Sequence, residues 1–307
     1  MDQIAPHRAR SLAEFGQLGA KLFPLEDLAA SVQSYRARPS DVIISPYSKC
    51  GTTWLQQIFH TLRTRGDIDF DDISRVVPWI ETAAIGGVDL EAPQRGEPRG
   101  FKSHLGYDRI PKGARYIVAL RDPKDALVSL YRFMEGWLIE PGAVPMEGFA
   151  AYWIGRVASG ADIWRHLLSW WVERDNPDVL LLSYEHMTAE PAVAVRRVAA
   201  FCGIALDAEL LALTLERSSL AFMLQHKDKF DDILMRTASE KRCNVPSGGD
   251  SAKVRKGGVG GHRQELSPEI IAALDDQWTA LVAPVTGFGD YASLDAALRS
   301  RTLAAVA

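Results

Sequence analysis

Only three cysteines occur in the 307 residues, and none belongs to a CxxC pair. Cys50, Cys202 and Cys243 therefore cannot build a disulfide framework, and a reducing cytoplasm is the simplest address. No apolar run approaches the length of a membrane span. The first eight residues, Met1 to Arg8, lack the apolar core of a signal peptide. Neither sign of charge dominates, with 35 Lys and Arg against 39 Asp and Glu and a net charge of −4. That excludes a general attraction to nucleic acid or to anionic membranes, so any anion site has to be local. No cluster of His, Asp and Cys has ligand spacing, and no metal is expected. Internal repeats and low-complexity tracts are lacking as well, which sets aside repeat architectures.

What is present is an ordinary globular composition, 47% apolar and 24% charged. A chain of this length buries a large core and fits one α/β domain or two modest ones. One domain over residues 1–307 is expected, with its core at about 40–283 and with 1–11 and the extreme C-terminus flexible.

The most informative stretch is Asp41–Trp54, DVIISPYSKCGTTW. Val42-Ile43-Ile44 reads as a buried strand of a parallel sheet. Pro46 stops it, Gly51 permits a tight turn, and Thr52-Thr53-Trp54-Leu55 opens a helix. Strand, tight loop and helix N-terminus converge unpaired amides and the positive end of a helix dipole on one place. Lys49 adds a full charge, and Thr52 and Thr53 add hydroxyl donors. This is a cradle for a phosphate or sulfate ester. It is not the usual nucleotide loop, because GxxxxGK[ST] places Lys after the second Gly, whereas Lys49 precedes the only one.

Elsewhere the pattern predicts helices over Leu12–Leu22, Leu25–Arg38, Trp54–Arg65, Asp125–Phe133, Ala161–Asp175, Pro191–Cys202, Ala208–Glu216, Ser218–Gln225 and Ser267–Val282. His60 is assigned to surface or packing rather than chemistry. Strands are expected at Gly100–Leu105, Ala114–Arg121 and Val179–Tyr184. His104 then falls at a strand's carboxyl end, where α/β sheets bind ligands. Arg121 stands at the end of another strand and Ser129 two turns into the next helix, so an Arg fork and a hydroxyl can face one crevice. Residues 66–99 and 137–160 are long, irregular or aromatic-rich, and suit an acceptor pocket. Residues 243–264 are Gly-rich and in isolation could be a linker. The tail to Ala307 carries no signal.

Four of these segments together resemble the cytosolic-type sulfotransferases. Tyr47-Ser48-Lys49-Cys50-Gly51-Thr52-Thr53-Trp54 is similar to their phosphosulfate loop YPKSGTTW. Lys102-Ser103-His104 resembles their KTH, and RDPKDALVSLYRF from Arg121 to Phe133 their RNPKDVxVSxYxF. Arg255-Lys256-Gly257 resembles the start of their RKGxxGDWKNxF, of which Gly260 persists while Gly261, His262, Arg263, Gln264 and Leu266 depart. A strand ending in Tyr184-Glu185 and a Ser218–Met223 segment related to TSFxxM follow the same order.

The resemblance implies a single-domain α/β fold, a central parallel β-sheet with helices on both faces and a P-loop-like strand–loop–helix. It implies 3′-phosphoadenylyl sulfate (PAPS) as donor and in-line transfer to a hydroxyl or amine of a small, hydrophobic acceptor. His104 would be general base, with an ordinary pKa near the working pH. Lys49 and Lys102 would stabilise the bridging oxygen. The donor would be held by Lys49, Cys50, Gly51, Thr52, Thr53 and Trp54, by Tyr184 beside adenine, and by Arg121, Ser129, Arg255, Lys256 and Gly257 around the 3′-phosphate. Leu220 stands where adenine-stacking Phe is expected, and Phe222 is an alternative from a neighbouring turn. The family's dimer motif is not found near the C-terminus, so a homodimer stays open. A kinase-like phosphotransferase and a non-catalytic nucleotide-binding protein are the rival readings.

Overall fold

The computed structural model describes residues 5–248 and 250–304, with side chains as far as residue 300. Its centre is a four-stranded parallel sheet built from β1 (Val42–Ile44), β2 (Gly100–Lys102), β3 (Arg115–Leu120) and β4 (Val179–Ser183), in the order β2-β1-β3-β4. The register aligns Ile43 with Phe101 and Tyr116, and Val118 with Leu181.

Successive strand residues point to opposite faces, and both faces are covered. Ile43, Phe101, Tyr116, Val118 and Leu181 enter one cluster with Leu127 and Tyr131 of the helix Pro123–Glu135 and with Trp164, Leu167 and Trp170 of the helix Ile163–Trp171. Val42, Ile44, Ile117, Leu180 and Leu182 enter the other with Leu55, Ile58, Phe59 and Leu62 of the helix Thr52–Thr64 and with Val195 and Val198 of the helix Pro191–Cys202. The near-continuous apolar strands are thus those of a sheet buried on both sides, as the sequence implied. Gly100 is required at its position, because a Cβ there would lie 2.1 Å from the ring of Phe59.

Several boundaries move. The helix expected to reach Arg38 ends at Ser34, while the helix opened by Thr52-Thr53-Trp54-Leu55 runs from Thr52 to Thr64. The helix Pro268–Gln277 continues to Val282 in π form. Of the two roles expected for His60, surface or packing, it takes packing: it is fully buried against Phe70, and burial pushes its pKa down to about 4. The irregular span 66–99 contains short helices at Ile73–Val76 and Ala83–Gly86. Helices Met146–Gly155, Ile233–Cys243 and Tyr291–Ala304 had no assignment from pattern alone. Of the first eleven residues, expected to be flexible, 1–4 lie outside the described set, while Ala9 is buried and bridges to Ile139. Residues 305–307 of the C-terminus also lie outside it.

Strand order reverses between β1 and β3, so the loops leaving these strands diverge and open a crevice at the carboxyl edge. No helix among the described residues is long and apolar enough to cross a membrane.

Candidate active site

A cavity of about 1280 Å³ occupies this edge. Its floor is the turn after β1. Gly51 caps the helix Thr52–Thr64 with φ +92°, and a Cβ on it would meet the ring of Tyr184 at 3.1 Å. Glycine is needed there on both counts. Lys49 itself sits at φ +67°, a region that lysine rarely enters. Arg121 helps hold that conformation, donating from Nη1 to the Lys49 carbonyl at 2.7 Å. The amides of Thr52 and Thr53 belong to the first helical turn and have no acceptor within the helix. The Lys49 ammonium lies 4.1 Å from the centre of the Phe133 ring. Burial, and then the charge of Lys253, push its pKa down to about 7.

The end of β2 supplies Lys102 and His104. Lys102 is buried, with its ammonium 3.9 Å from the Trp79 ring centre and 3.4 Å from Asp232. Burial lowers its pKa to about 8. The imidazole of His104 is fixed through Nδ1, 2.7 Å from the carbonyl of Pro46, and its amide donates to Glu81 Oε1 at 2.7 Å. A carbonyl only accepts, so Nδ1 carries the proton and Nε2 is left as the basic nitrogen. Burial, followed by the neighbouring Lys102, pushes the His104 pKa down to about 3. The expectation of an ordinary pKa is thereby corrected: this histidine is neutral throughout the physiological range.

Arg121 directly follows β3; its guanidinium stacks 4.0 Å over the Tyr184 ring and its Nη2 donates to the carbonyl of Gly258 at 3.1 Å. One side chain therefore joins the β1 turn, the end of β4 and the Gly-rich loop. Ser129 lines the same cavity from the helix Pro123–Glu135, and Arg255, Lys256 and Gly257 close it from the loop. That loop is anchored by Asp125, which accepts from the amides of Gly260 at 2.6 Å and His262 at 3.0 Å. The drift of its second half has not released it.

The structure thus gathers around one cavity Lys49, Gly51, Thr52, Thr53, Trp54, Lys102, His104, Arg121, Ser129, Tyr184, Arg255, Lys256 and Gly257. Cys50 is the exception. Its side chain packs into the core, its amide is already bonded to the Tyr47 carbonyl at 3.0 Å, and burial pushes its thiol up to about 12. Cys50 is a small core residue and makes no wall of the cavity. Leu220 lines the cavity, whereas Phe222 turns aside and stacks on His226 with ring centres 4.4 Å apart.

Sequence reasoning missed Lys253, Asp232 and the walls contributed by Phe15 and Phe23 from the N-terminal segment. A lysine two residues before Arg255-Lys256 was visible, but nothing local showed that its charge turns inward.

The donor set suits a polyanionic sulfate ester. Lys49, Lys102, Arg121, Arg156, Lys253, Arg255 and Lys256 line the cavity, against Glu26 and Asp232. Thr52 Oγ1, Trp54 Nε1 and Arg121 Nε are buried there without a hydrogen-bond partner. Such groups are costly unless a ligand satisfies them.

Comparison with known proteins agrees. The model of the sulfotransferase domain family matches residues 39–284. Human sulfotransferase 1C2 is 28% identical over 245 residues, covering 75% of this chain and 79% of that protein. Dog (Canis lupus familiaris) sulfotransferase 1B1 is 31% identical over 207 residues, covering 63% and 69%. Among solved structures, retinol dehydratase in complex with retinol and PAP superposes with a TM-score of 0.66 at 18% identity, covering 90% of this chain and 96% of that one. The chain belongs to the sulfotransferase domain family and is a PAPS-dependent sulfotransferase.

Proposed function

We propose that the protein moves a sulfuryl group from PAPS to the hydroxyl, or amine, of a small apolar acceptor, with His104 as general base. The observation that carries this reading is the imidazole locked by Pro46 through Nδ1. A neutral ring so held has Nε2 ready to take the acceptor's proton.

The donor supplies an SO₃ group; the acceptor oxygen bonds to sulfur as the bond from sulfur to the 5′-phosphate oxygen breaks. Lys49, Lys102 and the amides of Gly51 to Thr53 stabilise the charge that grows on the leaving oxygen. Arg121, Ser129, Arg255, Lys256 and Gly257 take the 3′-phosphate, Arg as a planar fork. Tyr184 and Trp54, whose rings lie 5.8 Å apart edge to face, flank the base, with Leu220 on the remaining side. Burial keeps the free ring unprotonated, and an anionic donor beside Lys102 raises its proton affinity when the complex forms.

An apolar acceptor is supported by the aromatic half of the cavity, where Phe15, Phe23, Trp79, Phe149, Tyr152 and Trp153 face inward. The retinol dehydratase structure contains an apolar alcohol, retinol, beside PAP. We further infer one catalytic domain spanning the chain and a cytoplasmic address, supported by three free, buried cysteines.

The test is thermal stability with 3′-phosphoadenosine 5′-phosphate (PAP), against AMP and against ATP with magnesium. A ligand at a hundred times its dissociation constant adds about 2.7 kcal/mol, a shift of several degrees. Stabilisation by PAP but not AMP is expected; stabilisation by magnesium-ATP alone would replace this reading with a kinase.

A further inference from the structure

Lys253 and Asp232 stand at the transfer point with no part in the scheme above. Lys253 Nζ lies 2.5 Å from Asp232 Oδ2, and Lys102 Nζ lies 3.4 Å from the same carboxylate. All three side chains are almost fully buried, at 7%, 8% and 3% exposure. Two backbone residues in the left-handed region build the arrangement: Asp232 at φ +54° and Ala252, just before Lys253, also at φ +54°. Asp232 is anchored by its carbonyl, which accepts from the Arg236 amide at 2.9 Å, and Asp72 accepts from the next amide, Ile233, at 3.1 Å.

The charges here do not balance. Two buried carboxylates, Asp232 and Asp72, stand near Lys102 and Lys253, while Lys49 is close enough that Lys253 helps depress its pKa. The Asp232 carboxyl, which burial alone would raise, is held well below the ordinary range by Lys102 and Lys253. Three lysines thus face two carboxylates in a desolvated place, and the cation in excess is expensive unless an anion arrives. The remaining cations of the cavity, Arg121, Arg156, Arg255 and Lys256, form no ion pair with Asp232.

Resting on the PAPS reading, we propose that Lys253 is a donor-binding residue that holds the sulfuryl end of PAPS with Lys49 and Lys102, and that Asp232 is the carboxylate that positions it. The buried ammonium of Lys253 reaches the transfer point from the Gly-rich loop, opposite the lysines of β1 and β2. The loop thus brings a third cation towards the oxygens of the migrating group, where negative charge is redistributed during transfer.

Three variants test this: Lys253→Met, Asp232→Asn and the double variant. Each is assayed for kcat and KM with PAPS, for PAP affinity by calorimetry, and for melting temperature. Lys253→Met should lower kcat/KM for PAPS by about 10²-fold, while PAP, which has no sulfuryl group, binds within about threefold of the parent affinity. The double variant removes the buried carboxylate that has lost its nearer partner and should recover melting temperature without recovering turnover. Recovery of parental turnover in the double variant would overturn the proposal, since Lys253 would then only neutralise Asp232. Unchanged kcat/KM in Lys253→Met would do the same. Should Lys253→Met be too unstable to assay, the double variant alone decides. Failure of the parent protein to bind PAP would instead defeat the donor reading itself, and the proposal with it.

Discussion

Asp125 grips His262 at two points, accepting from its backbone amide at 3.0 Å and meeting its Nδ1 at 2.9 Å. The pair ties the helix that follows β3 to the loop that carries Arg255, Lys256 and Gly257. Loop position is thereby set by the same helix that carries Ser129.

Removal of that grip should loosen the loop before it harms the sheet. Asp125→Ala is expected to cost about 2–3 kcal/mol and to raise KM for PAPS more than it lowers kcat. Although burial pushes the Asp125 carboxyl up, His262 and the amides of Gly260 and His262 bring it down to about 2. A depressed carboxylate stabilises the fold above the ordinary aspartate range and loses that contribution as pH falls towards about 2. Urea midpoints of parent and variant should therefore converge in acid; a gap that stays constant would contradict this.

These contacts show which parts of the molecule were legible in sequence. Strands β1, β3 and β4 are short β-branched or leucine runs with stops beside them, and burial on both faces leaves one reading of such runs. Lys49, His104 and Arg121 could be placed because each sits within a few residues of a strand end, whereas Arg255 was placed only by the resemblance of Arg255-Lys256-Gly257 to a family motif. His262 could not, because its partner lies 137 positions away. Lys253 and Asp232 are likewise joined only by tertiary folding, through two left-handed residues that no local rule foretells. The helix Tyr291–Ala304 escaped for a different reason: it has almost no amphipathic stripe, although Tyr291, Leu294 and Leu298 are buried in the core.

That C-terminal helix lies beyond the family match at 39–284 and yet reaches the site. Tyr291 Oη donates to Glu185 Oε2 at 2.5 Å, and Ser183 Oγ donates to Asp295, so the residues on either side of Tyr184 are both held from it. Tyr291→Phe should cost about 1–3 kcal/mol and weaken PAP binding through Tyr184. Burial raises the Glu185 carboxyl to about 7. A carboxyl raised on folding binds more protons in the folded state, so its contribution falls as pH rises from the ordinary glutamate range to about 7. Denaturation midpoints across that range, and PAP calorimetry on Tyr291→Phe, check both statements; unaltered PAP affinity would detach the helix from the site.

Lys49 gives the donor site a pH dependence of known sign. With a pKa lowered to about 7, it binds fewer protons folded than unfolded between there and the ordinary lysine range. Its contribution to the free protein's stability therefore improves with pH across that window. Anion binding needs the protonated form, so stabilisation by PAP should shrink over the same window. Melting temperatures with and without PAP at about pH 6.5 and 9 measure it; a PAP shift that grows with pH would contradict the assignment, and Lys49→Met should abolish the dependence.

The most direct test is transfer of radiolabelled sulfur from PAPS to a panel of apolar alcohols and phenols, by the parent protein and by His104→Ala, with PAP affinity measured alongside. The account predicts a labelled sulfate ester from the parent protein and a loss of about 10²–10⁴-fold in His104→Ala, with PAP affinity intact. Labelled product formed by His104→Ala at the parent rate would contradict it.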